Sequence, residues 1–225
     1  MKKPVSNYDL QVDIGKRIFM EYDHEMLIRK YQLESDGSWI YLTYLNTPCR
    51  ISREDGRIES FLDGGWLECR SYDTVMTIYD LLCHHKGEAA PSLSGQWCPV
   101  GTFIVAGITK TEGFTGKSAR IFDGNVPQLK AACEALGGVL LPRMAGADVT
   151  CRFQATPFFP VVLQFWEGDD EFPAKLLVLW DRNTLSFLHF ETTFYLQGDL
   201  LSRLRRLFEQ TDPRGELAHE NTLLR

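Results

Sequence analysis

The sequence predicts a single α+β domain: a mostly antiparallel sheet, made of an N-terminal β-meander and C-terminal strands, packed against about three to four helices. Three observations carry this. Two short apolar runs, Val161–Trp166 and Lys175–Trp180, flank the acidic connection Glu167–Pro173. Such runs, bounded by turn residues, read as strands buried on both faces. The N-terminal third holds aromatic and β-branched runs separated by Asp-Gly pairs, which supply the positive φ of tight hairpins. Elsewhere, apolar residues recur at helical spacing, as in Asp73–Cys83 and Asn125–Leu136.

Residues 1–15 carry no strong period and are read as a lead-in with a short helix around Tyr8–Lys16. Met26–Leu33 reads as a strand. Ser35-Asp36-Gly37-Ser38 turns it into a second strand, Trp39–Leu45, which Pro48 ends. Arg50–Arg53 and Arg57–Phe61 flank Glu54-Asp55-Gly56 as another hairpin, and Gly64-Gly65 closes the meander. Asp73–Cys83 places Val75, Tyr79 and Leu82 on one helical face, with Ser71 or Asp73 as cap. His84 and His85 stand at its C-terminal end, where the helix dipole favours cations. Gly87–Gly116, rich in Gly, Pro, Ser and Thr, is a long connection, a type that often carries function.

Asn125–Leu136 is a helix with Asn125 as N-cap, Pro127 in its first turn and Gly137-Gly138 at its end. Val139–Leu141 is a short strand. Asp148–Ala155 alternates, with Val149, Cys151 and Phe153 on one face and Thr150, Arg152 and Gln154 on the other. After the two apolar strands, Asp181–Thr184 is a turn and Leu185–Phe190 a strand. Leu196, Leu200, Leu204 and Leu207 then mark helix, divided at Gly198-Asp199 into a short and a longer piece. The domain is expected over residues 8–210, with 211–225 as a flexible tail.

Composition excludes several classes. The chain is 44% hydrophobic and 12% aromatic, which is too apolar for disorder. A net charge of -6 argues against nucleic acid, whose phosphates need a concentrated positive field. No apolar stretch reaches the roughly 18 residues of a membrane span. No apolar region follows Met1-Lys2-Lys3, so no signal peptide is expected and the protein is read as cytoplasmic. Its six cysteines are then reduced thiols, and with no C-x-x-C pair they write neither a zinc ribbon nor an iron–sulfur site.

Pro157-Phe158-Phe159-Pro160, the apolar run to Trp166, then Asp170-Glu171-Phe172-Pro173 and a strand ending in Asp181 together resemble the domain-of-unknown-function 3786 family of bacteria and archaea. The resemblance covers about Asp9 to Gln210. It implies no activity, since that family is uncharacterised. It implies a setting common in anaerobes, with some members linked to corrinoid or iron–sulfur proteins through extra cysteine motifs that this chain lacks.

Four groups are candidates for chemistry. In the acidic turn Glu167–Glu171, four carboxylates in five residues suit a hard cation, and Asp170 and Glu171 are the candidates for a special role, since apolar neighbours would partly desolvate them; the plainer reading is a solvated turn that guards a sheet edge. His189 and Glu191, two apart on an expected strand, share a face and form a carboxylate–imidazole pair for general-base work or a structural hydrogen bond. Cys83-His84-His85 and Trp97-Cys98-Pro99 bring thiol and imidazole, but the spacing matches no familiar site, so no metal is expected: His84, His85 and Cys98 are the only candidates for one, and the plainer reading of the thiols is as small hydrophobes. Trp97, Trp166, Phe172 and Trp180 are candidates to line an aromatic pocket, or else fill a core. Gly113–Ser118 falls short of a phosphate loop, because that pattern wants glycine where Thr111 stands.

The functional expectation is a small-molecule or cofactor-binding accessory protein, with no particular cofactor specified. The alternatives are a small hydrolase-like enzyme working through carboxylate and histidine, or a scaffold for a protein partner. Neither nucleic acid nor membrane is an expected partner.

Overall fold

The computed structural model describes residues 7–103 and 115–211. It has an α+β architecture with two five-stranded sheets, and the chain divides into two compact units. The first unit runs to Gln96 and takes in Ala155–Phe159 and Asp181–Asp199. The second comprises Trp97–Gln154, Pro160–Trp180 and the chain from Leu200.

The first unit opens with helices α1 (Asn7–Glu21) and α2 (His24–Tyr31). Where a strand is expected from Met26, the chain is helical. The Asp23 carboxylate accepts from the backbone N–H groups of Glu25 and Met26 at 2.9 and 3.2 Å, and Gln32 closes the helix in the left-handed region. The burial of Leu27, Lys30 and Tyr31 follows the helical period that the contiguous Met26-Leu27-Ile28 obscures.

The expected meander follows as β1 (Glu34–Ser35), β2 (Trp39–Tyr44), β3 (Thr47–Ser52), β4 (Ile58–Leu62) and β5 (Gly65–Glu68), paired in sequence order and antiparallel throughout. Its two-residue turns at Leu45-Asn46 and Asp63-Gly64 have positive φ at both positions, the requirement of a tight hairpin. One face carries core residues such as Ile40, Leu42, Cys49 and Ile51. On the other, the Arg50 guanidinium lies 3.9 Å from the Trp39 ring and 4.4 Å from the Trp66 ring, and pairs with Glu59 at 2.6 Å.

Helix α3 (Tyr72–Cys83) lies close to the expected span, with Ser71 accepting from the Thr74 N–H. It ties this unit together. The Tyr79 hydroxyl donates to Gly56 O in the β3–β4 turn at 2.7 Å. Gly15 of α1 lies against the same ring, and a Cβ there would fall 2.9 Å from Tyr79 Cδ2.

In the second unit the sheet order is β6 (Trp97–Pro99), β10 (Lys175–Asp181), β9 (Phe159–Trp166), β8 (Val149–Thr156), β7 (Val139–Leu140). The central pair β9–β10 is antiparallel, with Lys175 opposite Trp166 and Leu179 opposite Val162. Every residue of β9 is buried except Trp166, which is half-buried, as its unbroken apolar run requires. The helices here are α4 (Gly116–Phe122) and α5 (Val126–Ala135). Residues 104–114 of the long connection, including the start of Gly113–Ser118, lie outside the described residues, as does the tail from residue 212.

The last helix, α6 (Phe190–Gln210), departs from expectation twice. Leu185–Phe190 is not a strand: a 3-10 turn at Thr184–Ser186 leads into the helix. Gly198-Asp199 does not break it, because Asp199 accepts from the Thr74 hydroxyl at 2.6 Å instead of capping a new helix. The described residues thus hold six α-helices where three to four are expected. The surplus comes from α2 and α4, both short; α1 corresponds to the helix expected around Tyr8–Lys16 but extends to Glu21.

Asp181, at the end of β10, fixes the turn that follows. Its side chain is buried and accepts from Ser94 N, Ser94 Oγ, Asn183 N and Gly95 N at 2.8–3.0 Å. Burial alone would raise its carboxyl, but these donors hold it below the usual carboxylate range. Replacing Asp181 by Ala removes the shared acceptor of four part-buried hydrogen bonds and is expected to cost about 3 kcal/mol, a fall of roughly 6–12 °C in Tm for a chain of this length. A depressed folded-state value stabilises above the unfolded carboxyl value near 4 and loses that effect as pH falls through the folded value. The Tm gap between wild type and Asp181→Asn should therefore be full at pH 7 and shrink below about pH 4, as thermal unfolding monitored by circular dichroism would show.

Candidate functional site

Most of α3 is apolar and buried, yet Asp80 interrupts it one turn before its end. That carboxylate reaches the start of α6. Oδ2 accepts from the His189 backbone N–H at 2.7 Å and from the Thr192 hydroxyl at 2.5 Å, and Oδ1 accepts from His189 Nδ1 at 2.6 Å. His189 precedes the first residue of α6, where backbone donors lack intrahelical partners. Asp80 thus supplies from another helix the acceptor that a local capping side chain would give.

His84, four residues on, lies on the same face of α3 as Asp80. Its Nε2 stands 3.0 Å from Leu185 O. A carbonyl only accepts, so Nε2 carries a proton, and in the neutral ring Nδ1 then presents a lone pair. That lone pair faces His189 Nδ1 at 3.2 Å and Asp80 Oδ1 at 4.0 Å, with the two rings edge to face at 4.2 Å. The three side chains form the single cluster of potential metal donors found among the described residues, one donor atom of each lying within 4.8 Å of the others. The cluster is open on one side: side-chain exposure is 12% for Asp80, 23% for His84 and 64% for His189.

The end of α3 is held from beneath. Tyr22 donates its hydroxyl to Cys83 O, and the buried Lys30 donates to His85 O at 2.6 Å. Burial lowers the Lys30 ammonium from its ordinary value and pushes the Cys83 thiol up to about 12. Burial, with Lys30 and His84 nearby, lowers the His85 imidazole.

The residues singled out in the sequence are dispersed. His84 and His189, taken there as members of different groups, come together, and their partner is Asp80, which the sequence did not single out. Glu191 is exposed in the first turn of α6, not on a strand shared with His189. His85 and Cys98 stand outside the cluster, and the Cys98 thiol lies 3.6 Å from Trp180 O. Asp170 and Glu171 are exposed, and the turn is organised by Asp169, which accepts from Glu171 N and Phe172 N at 2.9 and 2.7 Å. Phe172 is 68% exposed. Trp180 is wholly buried, the Trp166 indole donates to Ala145 O at 3.2 Å, and Trp97 is half-buried on β6.

The signal for Asp80 was available in part: a half-buried carboxylate near the end of an apolar helix, one turn before a histidine. Its partner is 109 residues away, beyond any local pattern.

Truncating Asp80 to Ala removes three hydrogen bonds from the start of α6 and is expected to lower stability by about 3 kcal/mol. Thr192→Val should cost about 1 kcal/mol. The two act on one carboxylate, so the double variant should lose less than the sum, which chemical denaturation of the four proteins would measure.

A model of a family described as a domain of unknown function, DUF3786, matches residues 23–203. No curated protein and no solved structure matches the chain.

Proposed function

We propose that this chain, which belongs to the DUF3786 family, binds a divalent transition-metal ion through Asp80 Oδ1, His84 Nδ1 and His189 Nδ1. One observation carries the reading: three donor atoms of the right kinds converge, separated by 2.6, 3.2 and 4.0 Å. Donors sharing one ion at about 2.0–2.2 Å stand roughly 3 Å apart, so small side-chain movements suffice.

Two features support it further. The His84 Nε2–H to Leu185 O bond is the outer contact that fixes the tautomer of a metal-bound imidazole. The second carboxylate oxygen of Asp80 is likewise engaged, by His189 N and Thr192. Two imidazoles and one carboxylate suit zinc, cobalt, nickel or ferrous iron better than calcium or magnesium. The ion displaces the proton now shared between His189 and Asp80. On this reading the metal would be the cofactor of the accessory protein expected from the sequence. The cytoplasmic setting expected from the sequence is kept as part of this proposal.

A second reading needs no metal. The 2.6 Å contact with Asp80 holds His189 as the Nδ1–H tautomer, which leaves Nε2 as a base on the exposed side of the ring. His84→Ala separates the two, since it removes a metal ligand and spares the Asp80–His189 pair.

Calorimetric titration of the metal-free protein with Zn²⁺ should give one site per chain. His84→Ala and His189→Ala should each weaken it at least about tenfold, while His85→Ala and Cys98→Ala should leave it unchanged. At a metal concentration about 100 times Kd, Tm should rise by roughly 5–10 °C. A flat titration, or a site that survives both histidine changes, would reject the metal.

A further inference from the structure

Resting on that reading, we infer that the bound metal keeps at least one exchangeable position on its solvent side and takes there a small anionic oxygen donor, such as a hydroxamate or a carboxylate.

The first reason is the count of donors. Among the described residues no fourth His, Cys, Asp or Glu joins Asp80, His84 and His189. The neighbours in sequence are committed elsewhere. Cys83 is buried, and its carbonyl accepts from Tyr22. The His85 ring lies against the backbone of Gly87, where a Cβ would fall 2.6 Å from its Nε2, and its carbonyl accepts from Lys30. Zinc takes at least four ligands, and iron, cobalt and nickel accept up to six. A closed structural site fills its positions with protein; this one leaves one to three open.

The second reason is direction. Asp80 and His84 approach from the protein, and His189 forms the exposed rim at 64% exposure. The open positions therefore face solvent. The third is charge. One carboxylate and two neutral imidazoles leave a divalent ion with a net charge of +1, which favours an anion over a neutral donor. Hard oxygen atoms match such a borderline ion without the soft thiolates that would exclude them.

The test uses the full chain loaded with Co²⁺, whose visible bands report its coordination, and acetohydroxamate as the probe. The expected result is a saturable change of the bands at one equivalent, undiminished in Glu191→Gln, since Glu191 is not a ligand. Two outcomes overturn the inference alone. In one, the bands respond to Co²⁺ and vanish with a chelator, yet stay fixed under acetohydroxamate: the site is closed. In the other, acetohydroxamate binds only after Glu191→Gln, which makes Glu191 the ligand that completed the shell. Absence of protein-dependent cobalt bands rejects the metal reading itself, and the inference with it.

Discussion

The contact between the Asp80 carboxylate and the start of α6 is the constraint on which the first unit depends. A carboxylate on a largely buried helix face is costly unless nearly every lone pair is used. Asp80 meets that condition with three donors from a segment 109 residues away, all at 2.5–2.7 Å. Charge-assisted bonds of this length are the stronger kind, and losing any one leaves a partly buried charge short of a partner. The contact therefore fixes where α6 begins and in which orientation its first turn is held. At the far end of the same helix pair, Thr74 donates to Asp199, so the helices run antiparallel and are pinned at two points.

The end of α3 shows the complementary solution. Its last carbonyls would lack partners where the chain leaves the helix. Tyr22 and Lys30 supply donors from neighbouring segments, and Lys30 does so while buried. Positive charge is favoured at a helix C-terminus, which offsets part of the cost of burying the ammonium. These contacts give His84 a firm base, because the backbone that carries it is tied down on both sides. Its imidazole is then aimed by Leu185 O.

Legibility in the sequence followed the range of the interactions. Strands β8, β9 and β10 were readable because alternation and continuous apolar runs are local consequences of one-sided and two-sided burial. Helices α3 and α5 were readable for the same reason at a period of 3.6. Helix α2 was lost because eight residues offer little period, and Met26-Leu27-Ile28 mimics a strand; the capping signal of Asp23 was present and decided the outcome. Leu185–Phe190 looked like a strand because it is dense in apolar residues, of which Phe187, Leu188 and Phe190 are buried as a helix entry instead. At the site, imidazoles could be named from residue type alone, and His84 and His189 were. Their grouping could not: Asp80 stands one turn before His84, but the contact that brings His189 to both spans 109 residues.

Each member of the cluster is oriented by a bond that a ligand would not have to break. His84 is held through Nε2, Asp80 through Oδ2, and His189 through its own backbone N–H. The atoms left over, one lone pair on His84 Nδ1 and the proton between His189 Nδ1 and Asp80 Oδ1, lie on the side the three share. A purely structural cap requires only Asp80 and the backbone of His189, and it is satisfied with a residue of almost any kind in place of His84. The presence there of an imidazole whose tautomer is set, and whose free nitrogen faces the other two donors, is what a capping role leaves unexplained. Metal coordination uses that nitrogen together with the other two.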